Sequence, residues 1–145
     1  MAELLDNRVL IAALLAWVAA QSIKIAIDLS RTGRINFRYL VSSGGMPSAH
    51  AALVSALATV TGREAGLQSP LFGVAVVVAS VVMYDAAGVR QAAMLQARIL
   101  NRMLDELFTQ HAFSERRLRE LLGHTPIEVF AGAMLGLAVG FVLAR

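Results

Sequence analysis

The most informative part of the sequence is a nine-residue string, SSGGMPSAH (residues 42–50), which leads directly into an apolar segment. Its two glycines, Gly44 and Gly45, let the backbone approach a ligand closely. We expect Pro47 to begin a helix, and the exposed amides and dipole of its first turn favour an anion such as phosphate. Ser48 can donate a hydrogen bond to that anion, and His50 can act as a general acid. The alternative is an ordinary helix cap beside a hydrogen-bonded histidine.

A second histidine precedes the last apolar segment, in the string GHTPIE (residues 123–128). Thr125 and Glu128 have the spacing of a capping box, in which Glu128 only closes the start of a helix. The other interpretation is chemical. In it, His124 is a nucleophile whose ring is oriented by Glu128, as carboxylates orient catalytic histidines in other enzymes. The spacing leaves both interpretations open.

Cations that suit the oxygens of an anion lie in the first apolar segment. Spacings of three and four residues put Gln21, Lys24, Asp28 and Arg31 on one face of a helix. Lys24 either extends to the membrane surface and pairs with Asp28, or it directs an intramembrane positive charge at a buried anion.

A third cation, Arg90, follows another apolar segment in the string YDAAGVR (residues 84–90). Its guanidinium can hold a phosphate through two hydrogen bonds, which lysine does less well. Asp85 either belongs to the same binding site or pairs with Arg90 or Lys24 in a purely structural role.

Four apolar segments carry these residues: 9–29, 48–61, 71–84 and 127–144. The chain is 57% hydrophobic and 16% charged, whereas soluble domains average about 45–50% and roughly 25%. The first segment is long enough to cross the ~30 Å hydrocarbon core. The second and third are short, and they form either two full crossings or a tilted or re-entrant hairpin. We predict an all-α integral membrane bundle, a single domain over residues 1–145, with about four apolar helices.

The polar connection between the third and fourth segments is predicted to be helical. Apolar residues recur there at roughly helical spacing up to residue 107, which indicates an amphipathic cytoplasmic helix ending near Phe108. A turn at residues 110–114 and a short helix at 115–122 are expected to follow.

Several classes of function are excluded by composition. The chain has no cysteine, so it has no disulfides, thiol catalysis or cysteine-bound metal. Its net charge is only +3, and no run of like charge exceeds two residues, which argues against nucleic-acid binding. Two histidines among cations, with few candidate metal carboxylates, favour phosphoryl chemistry without a metal. We therefore predict no metal and no cofactor.

The distribution of arginines predicts the topology. With four crossings, one side of the membrane receives nine arginines and the other receives three, so the positive-inside rule places the nine in the cytoplasm and both termini outside. The four candidate sites all fall at the cytoplasmic ends of their segments, in one membrane plane. The nine are Arg31, Arg34, Arg38, Arg90, Arg98, Arg102, Arg116, Arg117 and Arg119; the three are Arg8, Arg63 and Arg145.

The last apolar segment carries Gly132, Gly136 and Gly140 at a spacing of four residues. In an apolar helix this spacing lets a neighbouring helix approach closely. We favour packing inside one subunit, and the alternative is a homo-oligomer formed through these glycines.

Taken together, the strings GGMPSAH, YDAAGVR and LGHTPIEV resemble the divergent branch of the type-2 phosphatidic acid phosphatases. The wider superfamily includes lipid phosphate phosphatases, bacterial acid phosphatases and vanadium-dependent haloperoxidases. Lys24 and Arg31 keep the spacing of its first motif, with Thr32 in place of proline. Its second motif, Pro-Ser-Gly-His, matches residues 47–50 with alanine for glycine. His124 and Glu128 keep the spacing of the third, with glutamate for aspartate.

The third motif also contains an arginine, and here Leu118 occupies its place between Arg117 and Arg119. Arg90 is the candidate that supplies this cation from another helix. The resemblance implies that Ser48 contacts phosphate and that His50 protonates the leaving group.

From the residues and the resemblance we predict a metal-independent lipid phosphate phosphatase of the cell membrane, acting through a phosphohistidine at His124. Lys24, Arg31, Gly44, Gly45, Ser48, Asp85 and Arg90 would bind the phosphorylated lipid. The alternative is a non-catalytic membrane protein that binds or moves a phosphorylated lipid or anion.

Overall fold

The computed structural model describes residues 6–33, 45–107 and 124–144, and every regular element in these ranges is helical. Its α-helices are α1 (Arg8–Thr32), α2 (Ala49–Ala65), α3 (Pro70–Tyr84), α4 (Arg90–Leu107) and α5 (Pro126–Leu143). A π-helical turn, Asp85–Val89, joins α3 to α4 without a break. The all-α prediction is confirmed. The turn predicted at 110–114 and the helix predicted at 115–122 lie outside the described residues.

Each helix begins or ends at a residue whose chemistry favours that boundary. Ser69 and Thr125 cap α3 and α5, and a proline follows each as the first helical residue, as the sequence predicts. Gly33 ends α1 in the left-handed conformation, at φ +67°. Pro47 does not begin α2, contrary to our expectation. The helix begins at Ala49 because the side chain of Ser48 takes the N-cap position.

Helix α2 lies at the centre of the bundle and packs against α1, α3 and α5. Small side chains make this close packing possible, since Ala16 and Ala20 of α1 meet Ala49, Ala52 and Ala56 of α2 in a fully buried cluster.

The three glycines of α5 face α2 of the same chain. A Cβ atom at Gly132 or Gly136 would collide with the carbonyl oxygen of Ser48 or Ala52, and one at Gly140 would meet Thr59. The glycine spacing therefore serves packing within one subunit, as we favoured. Homo-oligomerisation stays a prediction, but α2 already covers these glycines, so an oligomer would have to use other residues.

The helices have the dimensions of a multi-pass membrane protein. Within the described residues, three continuous helical stretches are long and apolar enough to cross a membrane, namely Arg8–Thr32, Pro70–Met103 (α3 continued into α4) and Pro126–Leu143. The 17 residues of α2 cover about 25 Å. This helix passes from a contact with Ala86 and Val129 at one end of the bundle to a contact with Ala12 and Ala144 at the other. Helices α1 and α3 therefore run toward the end at which α2 and α5 begin.

The amphipathic helix predicted after the third apolar segment is present as α4 (Arg90–Leu107), and its predicted end near Phe108 lies at the limit of the described residues. It extends α3 beyond the bundle and exposes apolar side chains such as Leu95, Ile99 and Met103.

Candidate functional site

His124 and Glu128 form the centre of the candidate site, at the start of α5. The Nδ1 atom of His124 lies 3.3 Å from the Oε2 atom of Glu128. The same oxygen accepts a hydrogen bond from the backbone N–H of Thr125 at 2.9 Å, and the Thr125 hydroxyl accepts the N–H of Glu128 at 3.4 Å. The capping box is therefore present, and its carboxylate also contacts the histidine ring. One oxygen of Glu128 therefore makes both of the contacts that the sequence offered as alternatives, the cap and the contact with His124.

The environment of His124 determines its protonation state. The side chain is 1% exposed. This burial lowers the pKa of His124 below its ordinary value, and it outweighs the opposing effect of the hydrogen bond to Glu128. A neutral ring whose Nδ1 faces a carboxylate carries its proton on Nδ1, so the lone pair lies on Nε2. The Nε2 atom is buried, and it has no hydrogen-bond partner among the described residues.

Ser48 joins the start of α2 to the start of α5. Its backbone N–H donates to the carbonyl oxygen of Glu128 at 2.9 Å, and its hydroxyl oxygen accepts the N–H of Ala51 at 3.4 Å. Its side chain is fully buried. This link brings His50 to His124, with ring centroids 6.3 Å apart and ring planes at 65°. His50 itself is exposed.

Lys24 supplies a buried cation to the same end of the bundle. Its side chain is 4% exposed, one turn from the equally buried Gln21. Lys24 interacts electrostatically with both Glu128 and His124. Burial of a lysine is costly unless an anion compensates for its charge, so the acidic side chain of Glu128 balances it here.

A cavity of about 340 Å³ opens between the ends of α1, α2 and α5. It contains two cations and two carboxylates beside apolar side chains, a mixture that fits an amphiphile with a charged head group. The lining includes Glu128 but does not include His124. The lining residues are Lys24, Ile27, Asp28, Arg31, Gly45, Met46, Thr125, Ile127 and Glu128.

The structure thus brings together most of the predicted site residues. Lys24, Arg31, Gly45 and Glu128 surround the cavity, and both histidines and Ser48 lie beside it. Asp85 is half-buried in the π-helical turn and does not line the cavity. Gly44 and the side chain of Arg90 lie outside the described residues.

The π-helical turn is a feature that sequence reasoning missed. It places Ala86 in a buried contact with Ala51 of α2 and Val129 of α5, next to the site. Such turns occur often at functional sites, because the extra residue re-aims the helix. Nothing in the periodicity of residues 71–107 distinguishes it from a continuous α-helix. Met46 and Ile127, which line the cavity, were also missed because they resemble ordinary apolar positions.

The chain has relatives among known proteins. The model of a family described as the divergent PAP2 family matches residues 5–139. The chain is also 40% identical over 153 residues to the uncharacterized membrane protein YuiD of Bacillus subtilis (strain 168). The aligned region covers 98% of this chain and 97% of the relative. No solved structure matches it. The matched family span contains every candidate site residue from Lys24 to Glu128.

Proposed function

The chain belongs to the divergent PAP2 family, and from this membership we propose that it is a metal-independent phosphatase of a lipid phosphate. The observation that carries the proposal is the state of His124. Its ring is buried, which lowers its pKa and favours the neutral form; Nδ1 faces Glu128, and Nε2 has no hydrogen-bond partner among the described residues. A nucleophilic imidazole needs these properties.

In the proposed reaction, Nε2 of His124 attacks phosphorus while the bond from phosphorus to the lipid oxygen breaks. His50 donates a proton to the departing alkoxide, so the lipid leaves as an alcohol. Water then attacks the phosphohistidine and releases inorganic phosphate, and His50 is the residue placed to take up the proton of that water. Nδ1 of His124 keeps its proton throughout, and Glu128 accepts a hydrogen bond from it and stabilises the positive charge that forms on the ring.

The oxygens of the transferring phosphoryl group need hydrogen-bond donors, charged or neutral, that are already in position. Lys24, Arg31, the Gly45 amide and the Ser48 hydroxyl are proposed for this role, since all lie around or beside the cavity. Gly44, Asp85 and Arg90 remain assigned to substrate binding on the motif alone.

The proposed substrate is a lipid because the cavity opens at the end of membrane-spanning helices and combines charged with apolar lining. We place this end in the cytoplasm on the excess of arginines that flank it. Reporter fusions at both termini test this side, and reporters that are active in the cytoplasm would contradict it.

The decisive experiment measures phosphate release from a panel of lipid phosphates by purified protein in the presence of a chelator. We expect wild type to turn over and to accumulate an acid-labile phosphoenzyme, and vanadate to inhibit it without added metal. His124→Ala should abolish both turnover and phosphoenzyme, a loss of many orders of magnitude. Vanadate binding is the control, and it should persist in His124→Ala.

A non-catalytic binding protein is the second candidate, because Glu128 and Lys24 line the cavity whereas His124 does not. In that case wild type releases no phosphate from any lipid phosphate. Lys24→Met would then weaken anion binding by about tenfold to a hundredfold, the value of one charged hydrogen bond, while His124→Ala would leave it unchanged. This pair of results would replace the phosphatase proposal.

A further inference from the structure

A second concavity lies far from the candidate site, between α3 and α5 and over α2. It has a volume of about 570 Å³ and runs from Arg63 and Phe141 at one end to Met83 at the other. Arg63 and Phe141 lie near the C-terminal ends of α2 and α5, at the end of the bundle opposite His124. We call this concavity the α3–α5 groove.

The lining of the α3–α5 groove is apolar in effect. Two of its hydroxyl groups donate within their own helices, because Thr59 donates to the carbonyl oxygen of Ser55 at 2.7 Å and Ser80 donates to that of Val76 at 2.8 Å. Most of the other lining side chains are apolar, so the walls suit a hydrocarbon chain better than a polar ligand.

The length of the groove matches one leaflet of a bilayer. On α3 it extends from Phe72 to Met83, and at 1.5 Å per residue this is about 17 Å. The hydrocarbon core of a bilayer is about 30 Å thick, so the groove covers roughly half of it. It therefore accommodates an acyl chain from one leaflet and does not span both.

The end of the groove at Arg63 and Phe141, its mouth, carries a positive charge. The guanidinium carbon of Arg63 lies 5.4 Å from the centroid of the Phe141 ring, and this cation–π contact holds the charge at the mouth. The neighbouring Glu64 lines a different pocket, together with Asp6 and Arg8 on the α1 side. An anion at the groove mouth therefore meets an arginine, and the nearby carboxylates face another surface.

We propose that the α3–α5 groove binds an anionic phospholipid from the leaflet opposite the candidate site, with an acyl chain along α2 and the head-group phosphate on Arg63. The charge at one end and the single-leaflet length together favour a lipid over a helix of a second copy, which would need no cation at the mouth. This inference does not depend on the phosphatase activity.

Native mass spectrometry of the detergent-purified protein tests the proposal, with phosphatidylglycerol and phosphatidylcholine as competing probes. We expect wild type to retain phosphatidylglycerol preferentially. Arg63→Gln should reduce that retention about tenfold, since it removes a charge-assisted contact to phosphate. Arg8→Gln is the matched control, an exposed arginine at the same end of the bundle that should behave like wild type.

Two further variants fill the groove itself. Ala133→Phe and Ser80→Phe both place a ring in it, and Ser80 is exposed, so the second variant disturbs no buried packing. Both should lose the bound lipid, whereas Ala138→Phe, on an exposed face of α5 outside the groove, should keep it. The His124→Ala variant should also keep it, because the groove is separate from the site.

Three results would overturn the proposal. The first is equal retention of the two lipids, and the second is an equal loss in Arg63→Gln and Arg8→Gln. The third is a change from dimer to monomer in the groove-filling variants while the lipid content stays constant, which would assign the groove to a second copy of the chain.

Discussion

The two ends of the helical bundle bury different kinds of side chain. At the site end Lys24, Ser48 and His124 are all at most 4% exposed. At the opposite end the buried cluster consists of Ala12, Val60 and Ala144. The charged residues of that end, such as Arg8, Arg63 and Glu64, are exposed.

This difference shows which end of the bundle loses folding stability by burying polar and charged side chains. Burying an uncompensated polar group costs about 1–3 kcal/mol by mutational measures, and a charge costs more. The opposite end avoids that cost even where it buries a hydroxyl, since Thr61 donates to the carbonyl oxygen of Leu57 at 2.8 Å. The site end keeps a buried lysine. It also keeps a histidine nitrogen, Nε2 of His124, that has no hydrogen-bond partner among the described residues. Stability alone would select apolar residues at both ends.

The largest expected contrast between the ends is in the effect of replacing a glutamate by glutamine. Glu128→Gln keeps an oxygen that can accept the Thr125 N–H, so the start of α5 stays capped. The oxygen that caps α5 is also the one that faces Nδ1 of His124, so glutamine keeps that contact but loses the negative charge that stabilises the imidazolium during the reaction. We expect phosphate release to fall about 10⁴-fold with little change in Tm, as when an amide replaces the carboxylate of a catalytic triad.

Glu64→Gln at the opposite end is the control for this experiment, and both its rate and its Tm should match wild type. A Glu128→Gln protein that loses about 1 kcal/mol of stability but keeps its rate would show that Glu128 is a cap and nothing more.

A smaller contrast is expected between two glycines of α5. Gly132→Ala drives a methyl group into the backbone carbonyl of Ser48, whereas Gly140→Ala meets the side chain of Thr59 at the other end. Overpacking of this kind costs about 1–3 kcal/mol, so both variants should have a lower Tm. Only Gly132→Ala should also reduce kcat, because only it displaces the residue that links α2 to Glu128. Equal losses of kcat in the two variants would contradict the claim that only the Ser48 end of α5 supports the site.

The smallest effect expected is on the pH dependence of stability. The pKa of His124 is lowered in the folded protein, so below histidine's ordinary pKa of about 6.5 the unfolded state binds the extra proton and folding weakens. Above that pH the group is neutral in both states and contributes nothing. Thermal unfolding in detergent should therefore show Tm falling as the pH drops from about 6.5, and the drop should be smaller in His124→Gln. An unaltered profile in His124→Gln would contradict this prediction.

Much of the architecture follows from local sequence. Apolar length and composition predicted the membrane helices, because a segment that spans lipid must satisfy its backbone hydrogen bonds internally and can do so only as a helix. The motif Thr125-x-x-Glu128 predicted the start of α5, and the glycine spacing predicted the close contact with a neighbouring helix. These are properties of residues within one or two turns of each other.

The candidate site depended on the tertiary structure. The sequence determined that Lys24, His50 and Glu128 lie at helix ends on one side, but not that Lys24 and His124 are buried together. It offered Glu128 as a cap or as an orienting carboxylate, and only the packing of α5 against α2 placed one oxygen in both roles. The Ser48 N–H to Glu128 carbonyl bond and the π-helical contact of Ala86 join helices that are remote in sequence. Contacts of this kind leave no local periodicity, since each depends on how two separate surfaces fit together.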